Sequence, residues 1–310
     1  MQEQKIVYWL LEGDPSLKYQ VHRDLLGTCE EQLVEKQSII EREGWGKKLL
    51  SEQDEDGIWG GGLYSPKWIS STYTLLLLKR LCLSRDNQQA KRGTHILLER
   101  GLYKDGGINF SKTLSNSETC ITGMVLSLLA YFKVEDERAH QLVDYLIKEQ
   151  MPDGGWNCQK VNGATHSSLH TTINVLEGLL EYKRTFDYKN KQITDMEEKA
   201  HEFILKHRLY KSDQSGEIID RKFTYLSFPP RWYYDILRVM EYFYFYDREY
   251  DARMADALNL LLKKKNKACI WPFQAKKPGR EYFELEENTK ESRINTLRAM
   301  RVLKKYKQYL

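Results

Sequence analysis

Glu118, Cys120, Cys158, His166 and His170 are residues whose types and spacing can do chemistry. His166 and His170 are four apart, so they share one face if both are helical. Cys158 lies in the segment that feeds them. Thiolate and imidazole ligands suit zinc, which in a catalytic site keeps one position open for substrate. Cys120, Cys158, His166 and His170 are therefore the candidate metal ligands. A plainer account has His166 capping a helix, His170 hydrogen-bonding among polar neighbours, and both cysteines packing as small hydrophobes. No compact Cys-x-x-Cys pair enforces a metal.

The site can also work without metal. Glu118 or Asp235 can donate a proton if burial raises its pKa, with His170 as the base. Such a set serves carbohydrate chemistry as readily as isoprenoid chemistry. Trp68, Tyr73, Trp232 and Tyr234 can stabilise a carbocation by their π faces or stack on a sugar. Arg231 and Arg293 can hold an anionic group. The densest unusual segment is Leu226-Ser227-Phe228-Pro229-Pro230-Arg231-Trp232. A loop stiffened by two prolines explains it as well as substrate contact does.

These residues must be positioned by a repeated unit. Gln53-Asp54-Glu55-Asp56-Gly57-Ile58-Trp59 and Gln150-Met151-Pro152-Asp153-Gly154-Gly155-Trp156 share a Gln-x-x-x-Gly-x-Trp pattern, and Asp105-Gly106 keeps the turn between them. The turns recur at intervals of roughly 50 residues, the mark of a repeat whose units cannot bury their apolar faces alone. Each unit reads as a charged outer helix, a loop, and an inner helix capped by hydroxyl residues, as at Ser70-Ser71-Thr72 before Leu75 to Leu78. The span Glu31 to Leu50 reads as one outer helix. Pro229-Pro230 suits the first turn of an inner helix running to about Tyr246. Inner helices are expected to start near 15, 70, 117, 167, 230 and 292, and outer ones near 4, 31, 87, 136, 195 and 251. Twelve alternating helices can close into an all-α α6/α6 toroid. Its inner N-termini would gather at one mouth, where free N–H groups favour an anion.

The bulk numbers fit one domain, residues 1–310, because no Gly/Pro/Ser linker interrupts the repeats. Lys plus Arg number 48 against 44 Asp plus Glu, mixed along the chain without aromatic interleaving. No nucleic-acid partner is expected. The expected partner is a small apolar or anionic substrate, with a protein partner left open. Five scattered cysteines give no disulfide framework, and no signal-peptide pattern stands at the N-terminus, so a cytoplasmic location is expected. No apolar run reaches the length of a membrane span.

The Gln-x-x-x-Gly-x-Trp segments at 53–59 and 150–156 resemble the repeat of squalene and hopene cyclases, whose toroid the protein prenyltransferase β subunits share. The resemblance implies that glutamine ties neighbouring helix ends and tryptophan stacks over the turn. Gly57 to Lys67, Ser117 to Gly123, Gly163 to Gly178 and Leu226 to Leu237 look like a bacterial group labelled prenyltransferase or squalene-cyclase-like, and the likeness spans nearly the whole chain. It implies an enzyme acting on an isoprenoid, or a non-catalytic ligand- or protein-binding toroid. Prenyltransferases hold zinc through an Asp-x-Cys pair and a histidine. Glu118-Thr119-Cys120 looks like that pair, with His170 or His166 as third ligand. The Asp-x-Asp-Asp acid motif of hopene-type cyclases and the Asp-Asp-x-x-Asp motif of diphosphate-ionising synthases do not occur.

Overall fold

A computed structural model describes residues 2–287 and 290–310. Among the described residues all extended regular structure is helical, with isolated β-bridges but no strand, as the all-α expectation requires. The α-helices are α1 (Gln2–Leu11), α2 (Pro15–Val21), α3 (Glu30–Ile39), α4 (Gly44–Leu50), α5 (Ser71–Arg80), α6 (Gln88–Gly101), α7 (Thr119–Tyr131), α8 (Ala139–Glu149), α9 (Leu169–Thr185), α10 (Asn190–Lys206), α11 (Ile236–Tyr246), α12 (Ala255–Lys263) and α13 (Arg293–Tyr306). Half-wet and buried helices alternate. In α3 only Leu33 is buried, whereas in α7 every residue except Cys120 is. No helix among the described residues is long and apolar enough to cross a membrane.

Two boundaries differ from expectation. Glu31 to Leu50 is not one helix: it breaks after Ile39 and restarts at Gly44, whose φ of +63° no regular helix accommodates. The Asp14 carboxylate fixes that restart by accepting the Trp45 N–H at 2.7 Å. The helix expected from Pro230 begins six residues later. Arg231 sits at φ +58°, and the Asp235 carboxylate, not proline, caps the first turn by accepting the Arg238 N–H at 2.8 Å.

The chain folds into two compact units. The first comprises Met1–Ser51, Arg80–Ser84 and Leu205–Leu310, and the second Glu52–Lys79 and Arg85–Ile204. In the first, Ile6 and Leu10 of α1 pack with Leu17 and Val21 of α2 and with Ile294 and Leu297 of α13. In the second, α7 and α9 meet backbone to backbone at glycines. A Cβ on Gly178 would stand 2.4 Å from the Gly123 carbonyl oxygen.

The turns are built as the repeat suggests. Gln53 Nε2 donates to the Gly57 carbonyl across its own turn and to the Gln89 carbonyl, at 2.9 and 3.0 Å. Gln150 does the same to Gly154 and Met196, at 2.8 and 2.9 Å. Each glutamine thus ties a turn to the first or second turn of the next outer helix. Trp59 and Trp156 are fully buried, and their N–H groups donate to the Ser71 and Thr172 hydroxyls at 3.0 Å. A further copy escaped the sequence reading. Across Asn266 to Trp271, the Trp271 N–H donates to the Thr296 hydroxyl at 3.0 Å, as its counterparts do. Cys269, at φ +61°, stands where Gly57 and Gly154 stand in the other turns, so the glycine signal is missing.

Candidate functional site

Glu118 occupies the N-cap position of α7 in extended backbone, φ −101° and ψ 113°. Its carbonyl accepts the Thr122 N–H and hydroxyl at 2.9 and 3.0 Å, yet its carboxyl makes no capping hydrogen bond. The acid is therefore not consumed by helix initiation. Partial burial pushes its pKa above the ordinary carboxylate value, and Lys67 offsets this only in part.

An aromatic wall stands beside it. The Tyr64 and Tyr73 rings lie 5.3 Å apart, Trp68 meets Tyr73 edge-on at 4.7 Å, and Phe110 stacks on Tyr64 at 6.3 Å. Both phenols are held far above their usual pKa, chiefly by burial, with the Glu118 and Cys120 charges adding to the effect. Lys67 Nζ lies over the Tyr64 and Trp68 rings at 5.0 and 5.6 Å. Of this group the sequence singled out Trp68, Tyr73 and Glu118. Tyr64, Lys67 and Phe110 were missed because they lie in loops ahead of the inner helices, where no periodicity marks which side chains turn towards one another.

Cys120 and Cys158 also come together here. The Cys120 N–H donates to Cys158 Sγ at 3.1 Å, and the Thr171 hydroxyl lies 3.5 Å from the same sulfur. The facing Cys120 side chain pulls the Cys158 thiol below its ordinary pKa, while Cys158 and desolvation push the partly exposed Cys120 thiol well up.

The histidines do not complete this pair. Helix α9 begins at Leu169, with Ser168 as its cap accepting the Thr171 N–H, so His166 precedes the helix and is exposed. The four-residue spacing therefore does not put His166 and His170 on one helical face. His166 is not the cap either. His170 lies in the first turn of α9 and is partly buried, its carbonyl accepting Asn174 Nδ2 at 2.7 Å. Among the described residues no group of three or more His, Cys, Asp or Glu side chains is placed to hold a metal ion. Cys120, Cys158, His166 and His170 do not form a zinc cage in this arrangement.

The remaining candidates lie in the first unit and are engaged by neighbours. Asp235 caps α11; burial raises its pKa, with Arg298 and Arg238 opposing. Arg231 Nη2 pairs with Glu281 Oε1 at 2.9 Å. The buried Tyr234 hydroxyl donates to the Leu209 carbonyl. Trp232 stacks on Tyr233 at 4.0 Å. Arg293 Nε donates to the Trp9 carbonyl at 2.9 Å, and its guanidinium lies 4.7 Å from the Trp9 ring centroid.

Sequence reading also missed a buried charge network in this unit. Arg298 Nε and Arg301 Nη1 each lie 2.6 Å from a Glu241 oxygen, and Arg301 Nη2 lies 2.6 Å from Asp24 Oδ2. The available signal was two arginines three apart in a helix otherwise rich in buried apolar residues.

No protein-family model and no curated protein matches this chain. Solved structures do. A variant of the type II terpene cyclase MstE from Scytonema, in complex with its substrate geranylgeranyl dihydroxybenzoate, is 17% identical with a TM-score of 0.48, over 96% of this chain and 89% of that one. The apo form of MstE is 14% identical with a TM-score of 0.35, over 85% and 96%. At this level the likeness carries no reaction over to the present chain.

Proposed function

We propose that this protein is a terpenoid-cyclase-like enzyme that acts on an isoprenoid or similar apolar substrate, with Glu118 as proton donor. One observation carries this reading: a carboxyl free of capping duty, with its pKa raised by burial, lies within electrostatic reach of Tyr64 and Tyr73, whose rings pack with Trp68.

A carboxylic acid kept protonated can deliver its proton to an alkene carbon. The π electron pair forms the new C–H bond, and positive charge develops on the more substituted carbon. Aromatic faces stabilise that charge without reacting with it, each by about 0.5–2 kcal/mol. Glu118 thus takes the part for which the sequence offers no Asp-x-Asp-Asp motif.

The test is turnover of linear isoprenoids, including geranylgeranyl dihydroxybenzoate, in deuterated water with product mass spectrometry. The expected product carries one deuteron from solvent, and Glu118→Gln abolishes it while the fold is retained. The rate should fall as pH rises through the Glu118 pKa, because the acid form is the active one. Tight isoprenoid binding without turnover in the wild type would instead support a binding protein. Turnover undiminished in Glu118→Gln would remove Glu118 from the role.

A further inference from the structure

We propose that Cys120 and Cys158 are a reversible dithiol–disulfide pair, closed by exchange with a small-molecule disulfide such as oxidised glutathione. The amide nitrogen of Cys120 is 3.1 Å from Cys158 Sγ. That contact keeps the Cα–Cα separation to no more than about 7.4 Å, a fraction of an ångström beyond the roughly 4.4–6.8 Å a disulfide spans. The pair closes with little backbone movement. Both residues are partly exposed, so a small oxidant reaches them. Cys82, by contrast, is buried, and Cys29 is exposed.

The Cys158 sulfur is the natural first attacker, since the Cys120 N–H and the Thr171 hydroxyl both point at it. It attacks one sulfur of the oxidant, whose S–S bond breaks and releases one reduced glutathione. Cys120 then attacks the mixed disulfide at Cys158, forming the internal bond and releasing the second. The protein loses two electrons, and its two thiol protons leave with the two glutathione thiols. The new bond ties the first turn of α7 to the loop ahead of α9, two residues from Glu118. The bond itself is independent of the proposed reaction; only an effect on catalysis rests on Glu118 being the acid.

The test is a titration of the full chain against mixtures of oxidised and reduced glutathione, followed by acid quench, alkylation with N-ethylmaleimide and peptide mass spectrometry. Cys120 and Cys158 should lose alkylation together and appear as one cross-linked peptide pair, restored by dithiothreitol. Cys29 should appear as a simple glutathione adduct. In Cys120→Ser, Cys158 should carry a persistent glutathione adduct that the wild type does not accumulate. The proposal is overturned if both cysteines stay fully alkylatable across the titration, or if wild type and Cys120→Ser accumulate the same adduct. Neither readout uses turnover, so failure here is separate from failure of the cyclase reading.

Discussion

Arg301 grips Asp24 through two nitrogens, Nε at 2.7 Å and Nη2 at 2.6 Å from the same carboxylate oxygen, with both residues buried. Burial alone would raise the Asp24 pKa, but Arg301 and Arg23 outweigh it and hold the carboxyl below its ordinary value. Arg301→Met takes one of two arginine partners from each of Asp24 and Glu241, leaving Arg23 and Arg298 in place, and should destabilise the protein by about 3 kcal/mol in urea unfolding. The folded pKa is depressed, so this stabilisation is present at neutral pH and lost on acidification below the usual carboxylate range. A denaturation midpoint insensitive to the substitution would mean the network contributes nothing net.

Glu197 behaves in the opposite sense. It is fully buried on α10, and burial lifts its pKa to about 7 despite the ion pair with Lys183. Its second oxygen, Oε1, has no hydrogen-bond partner. A folded pKa above the unfolded value means that the Glu197 contribution is fully present below about pH 4.5 and lost as pH rises towards about 7. Unfolding free energies measured across this window should fall with pH in the wild type and fall less steeply in Glu197→Gln.

Gln150→Ala removes two hydrogen bonds that fasten a turn to the Met196 carbonyl of α10. It leaves the Gly154 carbonyl without that donor, while the Met196 carbonyl keeps its place in the helical ladder of α10, for a loss of about 1–2 kcal/mol by calorimetry. Gln53→Ala should cost less, because its bond to Gln89 is exposed and water can replace it.

Gly178→Ala inserts a methyl group 2.4 Å from a backbone oxygen that cannot swing away. Overpacking the α7–α9 contact should destabilise the second unit by about 1–3 kcal/mol. Hydrogen exchange should place the loss first in the amides of α7 and α9.

Helix order was legible because it depends on local pattern. Ser168 and Ser292 cap the helices that their hydroxyls announced, and the Gln53 and Gln150 turns have the bonding that their spacing implied. The start of α11 was misread. Proline opens a helix only where nothing competes, and the Asp235 cap does. Candidate arginines and aromatics were read from type and position, which say nothing about prior commitments. Arg231 is already paired with Glu281, and the Tyr234 hydroxyl with Leu209.

The sequence alone determined that this chain is all-helical and repeated, because side-chain periodicity, caps and Gly turns act within a few residues of themselves. Only the tertiary structure decided which side chains share a space. Tyr64, Lys67, Phe110, Glu118 and Cys158 from separate loops and Cys120 from the first turn of α7 meet because the inner helices bring those segments together. It also decided which carboxyls have their pKa raised and which lowered, since burial and neighbouring charge are properties of the packed chain and not of any residue's place in the sequence.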